Sequence, residues 1–161
     1  MPANHKSRAA ILAGAKALIA EVGSYQANMI DIASRAAVSR ATVYNHFTDK
    51  SEMYRQLLES EIIRLGELAR SAANPAEALY QLSCAISSDP ALGKMITTDP
   101  VDIAHLVRVT SDPLWNLARE TLRNIFGQNS KIILHWLLGQ IASPLSESES
   151  RSQAEQIVFA L

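Results

Sequence analysis

The stretch Ile32-Ala-Ser-Arg-Ala-Ala-Val-Ser-Arg-Ala-Thr-Val-Tyr-Asn-His-Phe47 is the part of the sequence that decides the fold. Its pattern predicts two helices joined by a short turn, with the small Ala33 at their crossing and two valines facing inward. Ser39 can cap the second helix, which we place at residues 40–46. This arrangement is typical of a helix-turn-helix, whose second helix is free to enter the major groove of DNA.

Polar side chains on and around the second helix have the chemistry of a DNA-binding surface. Arg40 can donate two hydrogen bonds to guanine, Asn45 can pair with adenine, and Thr42 can touch a base or a thymine methyl. Phosphates can be held by other side chains and by backbone N–H groups at the helix start. The predicted DNA-binding residues are Asn28, Ser39, Arg40, Ala41, Thr42, Tyr44, Asn45, His46 and Lys50.

The wider pattern resembles the TetR-type transcriptional regulators. The matching positions are Gly23, Asn28, Asp31-Ile32-Ala33, Ala36-Ala37-Val38-Ser39, Thr42-Val43-Tyr44, His46-Phe47 and Lys50, within roughly residues 6–57. The resemblance implies a three-helix DNA-binding head and a fourth helix that links it to an all-helical body. It also implies that the body senses a small-molecule effector and forms the homodimer, and that the effector usually relieves repression.

Two positions that are commonly glycine in this family are alanine here. Ala37 lies in the turn; a left-handed conformation there costs about 1 kcal/mol, unless the turn adjusts slightly. Ala41 lies early in the recognition helix, where alanine should strengthen the helix.

Charge is distributed unevenly along the chain. Residues 1–56 carry seven Lys or Arg and four acids, a net charge of +3, whereas the remainder carries a net charge of -4. A basic segment on an acidic body favours a head that binds a polyanion. Apolar residues at 48% and charged residues at 19% are typical of a folded globular protein.

The rest of the sequence predicts helices and no strands, because glycines are few and no alternating apolar pattern occurs. Four helix starts carry a capping side chain followed by proline: Asn74-Pro75, Asp89-Pro90, Asp99-Pro100 and Asp112-Pro113. The predicted helices are 5–22, one ending near Ala36, 40–46, 50–72, 75–87, 90–97, 100–109, 113–126, 130–141 and 152–161, with a solvated loop from Ser143 to Ser152. The all-α chain is divided into a helix-turn-helix DNA-binding domain, 1–49, and a helical effector-binding and dimerisation domain, 50–161.

The body carries no comparable motif, so its functional residues are hypotheses. A sensing pocket needs apolar walls with a few polar groups, and the candidates are Tyr80, Met95, His105, Arg108 and Trp115; ordinary core packing is the alternative. The last two helices are apolar on more than one side, which favours a homodimer surface. Its candidates are Ile133, Trp136, Leu137, Ile157 and Leu161; the alternative is that both helices are central to the fold.

Several classes of protein are not expected. Cys84 is the only cysteine, so neither an internal disulfide nor a cysteine-based zinc site can form, and a cytoplasmic location is expected. Asp102 and His105 lack a third ligand at metal spacing and accompany no nucleophile motif, so we expect no metal, no cofactor and no enzyme activity. The longest uncharged stretch, Ile132 to Ser146, is shorter than the roughly 20 residues that span a bilayer.

The sequence therefore predicts a ligand-responsive repressor that binds double-stranded DNA at a palindromic operator as a homodimer. Its partners are the operator and an unidentified small-molecule effector. The alternative is a helical small-molecule-binding or protein-interaction module in which the helix-turn-helix serves only as scaffold.

Overall fold

A computed structural model describes residues 2–160, without the side chains of residues 2–4, and most of these residues are helical. Its helices are α1 (Pro2–Val22), α2 (Met29–Arg35), α3 (Arg40–His46), α4 (Lys50–Ser71), α5 (Pro75–Ser87), α6 (Pro90–Thr98), α7 (Pro100–Leu106), α8 (Pro113–Phe126), α9 (Ser130–Ala142) and α10 (Glu147–Ala160). A 3-10 turn, Gly127–Asn129, leads into α9. No strand occurs within residues 2–160, and the predicted all-α fold is confirmed.

The start of the last helix was predicted wrongly. The serine-rich segment was expected to be a loop up to Ser152, but α10 begins at Glu147. The Ser146 N–H donates to Glu149 Oε2 at 2.8 Å, and the Glu149 N–H donates to Ser146 Oγ at 3.3 Å. This reciprocal pair is a capping box, which satisfies two backbone donors at the helix start.

One compact unit consists of the chain up to Glu59 together with Pro90–Asp102. Helices α1, α2 and α3, the start of α4, and α6 supply its core. The most deeply buried apolar side chains in this unit are Ile11, Ala15, Ile32, Val43, Phe47 and Met53. Helices α1 and α2 approach closely because Gly14 has no side chain: a Cβ there would lie 3.2 Å from that of Ala36.

The other compact unit consists of Ser60–Asp89 and the chain from Ile103 onward. Its core is formed by the end of α4 with α5, α8, α9 and α10; the buried apolar residues include Ala69, Leu79, Leu82, Leu122, Ile133, Leu137 and Ala154. A buried polar contact joins α5 to α9, where Ser83 Oγ donates to Gln140 Oε1 at 2.7 Å. Ser150 of α10 lies 2.7 Å from the same hydroxyl, so the early turns of α10 are part of this core.

The packing boundaries do not coincide with the predicted functional boundary. Residues 50–59 and α6 pack with the first unit, although the sequence assigned them to the effector-binding domain. The division of function between residues 1–49 and 50–161 stays a prediction. Within residues 2–160, no helix combines the length and the apolar character needed to cross a membrane.

Candidate nucleic-acid interface

Asn28 fixes the start of α2. Its backbone is extended, and its Oδ1 accepts hydrogen bonds from the N–H groups of Ile30 and Asp31, both at 3.0 Å. Its amide nitrogen donates to Asp31 Oδ2 at 2.6 Å. The predicted capping role is confirmed; contact between the exposed Asn28 side chain and a phosphate stays a prediction.

The turn between α2 and α3 is strained at one residue. Ala37 has φ of 54°, the left-handed conformation that was one of two alternatives for this position. The turn is closed by the Ala37 N–H, which donates to the Ser34 carbonyl at 3.2 Å, and by the Val38 N–H, which donates to the Ala33 carbonyl at 3.0 Å. These bonds hold a conformation that costs about 1 kcal/mol for a residue with a Cβ.

Helix α3 buries one side and exposes the other. Ser39 Oγ accepts from the Thr42 N–H at 3.0 Å and caps the helix, while Val43 is fully buried. Residues three and four positions apart share a helix face. The exposed residues of α3 follow that spacing and form one surface, which we call the α3 face: Arg40, Ala41, Tyr44 and Asn45.

Thr42 and His46 lie at the margins of this face. Thr42 is half-buried, and its hydroxyl shares a hydrogen bond of 2.8 Å with Ser39 Oγ. His46 is also half-buried, and its ring centroid lies 6.0 Å from that of the core residue Phe47. Both side chains therefore have contacts within the unit, in addition to any contact with DNA.

Lys50, at the start of α4, is held by the protein itself. Its Nζ donates to the Tyr25 carbonyl at 2.9 Å and lies 5.4 Å from the centre of the Tyr54 ring. Burial lowers the pKa of Lys50, and the charges of Asp102 and Asp99 act in the opposite direction. Because an ammonium group has three donors, two remain for a phosphate after the bond to Tyr25.

The loop between α1 and α2 is held by hydrogen bonds to residues at the corner between α6 and α7. Asp99 Oδ2 accepts from the Ser24 N–H at 2.9 Å, and Asp99 Oδ1 accepts from the Tyr25 N–H at 3.2 Å. Ser24 Oγ donates to Asp102 Oδ2 at 2.6 Å, and the Tyr54 hydroxyl donates to the Ser24 carbonyl at 2.8 Å. We call Asp99 and its hydrogen bonds to this loop the Asp99 clasp.

The prediction that Asp99 caps α7 was wrong. Asp99-Pro100 marks the start of α7 correctly, but the carboxylate binds a distant loop instead of capping its own helix. Burial opposes ionisation of Asp99, but hydrogen bonds from the Thr98 hydroxyl and from the N–H groups of Tyr25 and Ser24 outweigh it and hold the pKa below its ordinary value. No local pattern distinguishes this use of an Asp-Pro pair from a cap.

Comparison with known proteins assigns this arrangement to a family. Residues 11–57 match the family model described as bacterial regulatory proteins, tetR family. The matched segment is 47 of the 161 residues. The resemblance to TetR-type regulators is thereby confirmed, and it includes α2, α3 and the start of α4. A comparison with curated proteins gives no match.

Solved structures with the same fold match the chain over nearly its whole length. The TetR family repressor AlkX from Dietzia sp. strain DQ12-45-1b has 17% identity and a TM-score of 0.68, covering 95% of this chain and 94% of that one. The dihydroxyacetone kinase operon activator DhaS has 17% identity and a TM-score of 0.65, covering 96% and 94%. FadR from Bacillus subtilis, in complex with stearoyl-CoA, has 20% identity and a TM-score of 0.51, covering 94% and 98%.

The residues predicted to line an effector pocket have different surroundings. Met95 packs against the core of the first unit, and Trp115 packs against the core of the second. His105 and Arg108 are exposed. Tyr80 lines a shallow polar pocket of about 150 Å³, together with Asn74, Ala76, Glu77, Arg151 and Glu155; none of the other four predicted residues lines it. The effector pocket stays a prediction.

The residues predicted to form a dimer surface are also divided. Ile133 and Leu137 are 1% and 5% exposed and pack into the core of the second unit, so a partner would not reach them in this conformation. Trp136 and Ile157 are half-buried, and Leu161 lies outside the described residues. The large apolar side chains that α9 and α10 expose are Ile132, at 61%, and Phe159, at 93%.

Proposed function

We propose that this tetR-family chain is a ligand-responsive repressor that binds a palindromic DNA operator as a homodimer. The observation that carries the proposal is the α3 face, on which polar side chains point to solvent from a helix anchored by a buried valine. A helix-turn-helix that served only as scaffold would not need this face.

The proposed contacts on DNA follow from the chemistry of each side chain. Arg40 matches the two acceptors of guanine, and Asn45 matches the donor and acceptor of adenine. The Tyr44 hydroxyl suits a phosphate oxygen, and the small Ala41 lets the helix backbone approach the groove. The base-reading and phosphate-holding groups then share one side of α3, as entry into a major groove requires.

Homodimer formation is supported by two exposed side chains on the last helices. Two recognition helices must reach successive major grooves, about 34–36 Å apart, so a single chain reads only half of a palindrome. Phe159 and Ile132 place large apolar surface in solvent on α10 and α9. Burial of such surface against a second copy is the usual way in which an apolar patch is stabilised.

A small-molecule effector is proposed from the fold. Among the structures with the same fold, FadR from Bacillus subtilis was solved with stearoyl-CoA, and AlkX is named a repressor. An effector that prefers the conformation with a different separation of the recognition helices would lower operator affinity by typically 1–3 kcal/mol of coupling.

The decisive experiment measures DNA affinity against salt concentration for the wild type and two arginine variants. The proposal predicts that log affinity falls linearly with log salt, by about 0.9 for each neutralised phosphate. Arg40→Ala should weaken binding, whereas Arg123→Ala, which removes an exposed arginine from α8, should not. A DNA affinity that does not change with salt concentration would support the scaffold alternative instead. Equal DNA affinities for Arg40→Ala and Arg123→Ala would support it as well.

The homodimer is tested separately by sedimentation of the full chain. The wild type should sediment at twice the mass of one chain, and Phe159→Glu should shift the equilibrium toward the monomer because it places a charge in an apolar interface. A wild type that stays monomeric at the concentrations where it binds DNA would refute the dimer.

A further inference from the structure

Tyr25 is an exposed aromatic residue on a loop whose backbone is held on both sides. Its side chain is 83% exposed. Its N–H donates to Asp99 Oδ1 at 3.2 Å, and its carbonyl accepts from Lys50 Nζ at 2.9 Å. The backbone is therefore fixed by two charged groups while the phenol points into solvent, which is the arrangement of a presented binding group rather than of a packing residue.

The position of Tyr25 places it beside groups that are predicted to face the DNA backbone. Lys50 contacts it directly, and Asn28 follows three residues later in the chain. Phosphate contacts in protein–DNA complexes come from hydroxyl groups as well as from cations. A phenol carries one O–H donor, which can bind a phosphate oxygen.

Asp99 determines where this loop lies. Its two carboxylate oxygens accept from consecutive backbone N–H groups, those of Ser24 and Tyr25, and a third donor, the Thr98 hydroxyl, orients the carboxylate at 2.6 Å. Asp99 is only 8% exposed. A buried anion that binds two adjacent amides makes no direct contact with DNA, so apart from its charge it acts through the loop that it holds.

We propose that Tyr25 is a further contact to the phosphate backbone of DNA and that Asp99 is the positioning residue that presents it. The inference rests on the proposed DNA binding and adds two residues to it, one in the loop before α2 and one in the corner after α6.

The direction in which Asp99→Asn changes DNA affinity distinguishes a positioning role from a purely electrostatic one. Removal of a negative charge from the unit that binds a polyanion should strengthen binding if only charge matters. Positioning predicts the opposite, because the asparagine amide nitrogen is a donor and cannot accept the Ser24 or Tyr25 N–H. Asp112→Asn is the matched control: it removes the same charge from another Asp-Pro pair, whose side chain caps α8 in the second unit.

The test measures the affinity of the full chain for a fluorescent mixed-sequence DNA duplex. Tyr25→Phe and Asp99→Asn should each weaken binding by about three- to tenfold, the net loss of one typical hydrogen bond at an exposed site. The double variant should bind no more weakly than the weaker single variant, because both changes remove one contact. Asp112→Asn should keep the wild-type affinity. In NMR spectra without DNA, Asp99→Asn should move the amide signals of Ser24 and Tyr25.

Each other outcome overturns a defined part of the inference. Unchanged affinity in Tyr25→Phe removes Tyr25 from the DNA contacts. The positioning role is removed by any of three results. These are tighter binding by Asp99→Asn, a double variant whose loss of affinity is the product of the two single losses, and amide signals of Ser24 and Tyr25 that do not move. If Asp99→Asn does not fold, Asp99 is a stabilising residue and the positioning role is likewise rejected. A wild type that binds no DNA refutes the proposed function itself, which separates that failure from failure of this inference.

Discussion

Replacement of Gly23 by alanine should destabilise the first unit strongly. Gly23 has φ of 88°, and a Cβ at this position would lie 2.3 Å from Asp99 Oδ2 and 2.4 Å from Thr98 Oγ1. The left-handed conformation costs an alanine about 1–2 kcal/mol. Displacement of the carboxylate also removes at least one hydrogen bond to a charged group, worth about 1.5–3 kcal/mol. The free energy of unfolding should therefore fall by about 2.5–5 kcal/mol.

Urea unfolding followed by circular dichroism measures this change. Both tryptophans, Trp115 and Trp136, lie in the second unit, so their fluorescence reports that unit separately. Gly93→Ala is the control in the same unit: nothing lies within 4 Å of a Cβ there, and alanine in the interior of α6 should stabilise by about 0.5–1 kcal/mol.

A double variant separates the two contributions to the Gly23→Ala effect. In an Asp99→Ala background no carboxylate remains to be displaced, so the cost of Gly23→Ala should fall toward the backbone contribution of about 1–2 kcal/mol, with only the Thr98 hydroxyl left to move. A cost below about 1 kcal/mol in the wild-type background would show that the loop moves freely and that the Asp99 clasp does not fix it. Equal costs in the two backgrounds would lead to the same conclusion.

Three further predictions concern the turn, the α3 face and acid stability. Ala37→Gly should stabilise the chain by about 1 kcal/mol in urea unfolding, because it relieves the strain at φ of 54°. Arg40→Ala should cost about 1–3 kcal/mol of operator binding and relax base preference at one position, measured on operators with single base changes. The pKa of Asp99 is lowered in the folded state, so its stabilising contribution is present above the unfolded pKa of about 3.9 and is lost as pH falls through the folded value. Unfolding midpoints should therefore decline below about pH 4, and less steeply in Asp99→Asn, if folded-state ionisation of this group is responsible.

Most helix boundaries could be predicted because their signals are local. A capping side chain followed by proline places the starts of α5 and α8 at Pro75 and Pro113, and in both the cap accepts a backbone N–H as expected. The start of α10 was missed although Ser146 and Glu149 have capping-box spacing. The serine-rich composition around them favoured a loop, and the buried Ser150 that anchors the helix to α5 leaves no signal in the sequence.

The α3 face could also be predicted, because exposure on a short helix follows from the position of its buried residue. Once Val43 is assigned to the core, residues 41 and 45 must lie on the opposite side of the helix, and residues 40 and 44 lie beside them on one flank. The Asp99 clasp could not be predicted in this way. It joins residues 75 positions apart in the chain, and neither Ser24 nor Tyr25 has a side chain that identifies its N–H as the donor.

The geometry of the helix-turn-helix depends in part on the Asp99 clasp, whose carboxylate lies outside the motif. The helix-turn-helix ends before Lys50. The loop that leads into α2 donates hydrogen bonds to Asp99 and Asp102 and accepts one from the Tyr54 hydroxyl. Burial raises the pKa of the Tyr54 hydroxyl well above its ordinary value, so this donor is protonated at neutral pH. The loop before α2 is thus held by groups outside the helix-turn-helix. A change at the corner between α6 and α7 can therefore alter the presentation of the α1–α2 loop without touching the α3 face.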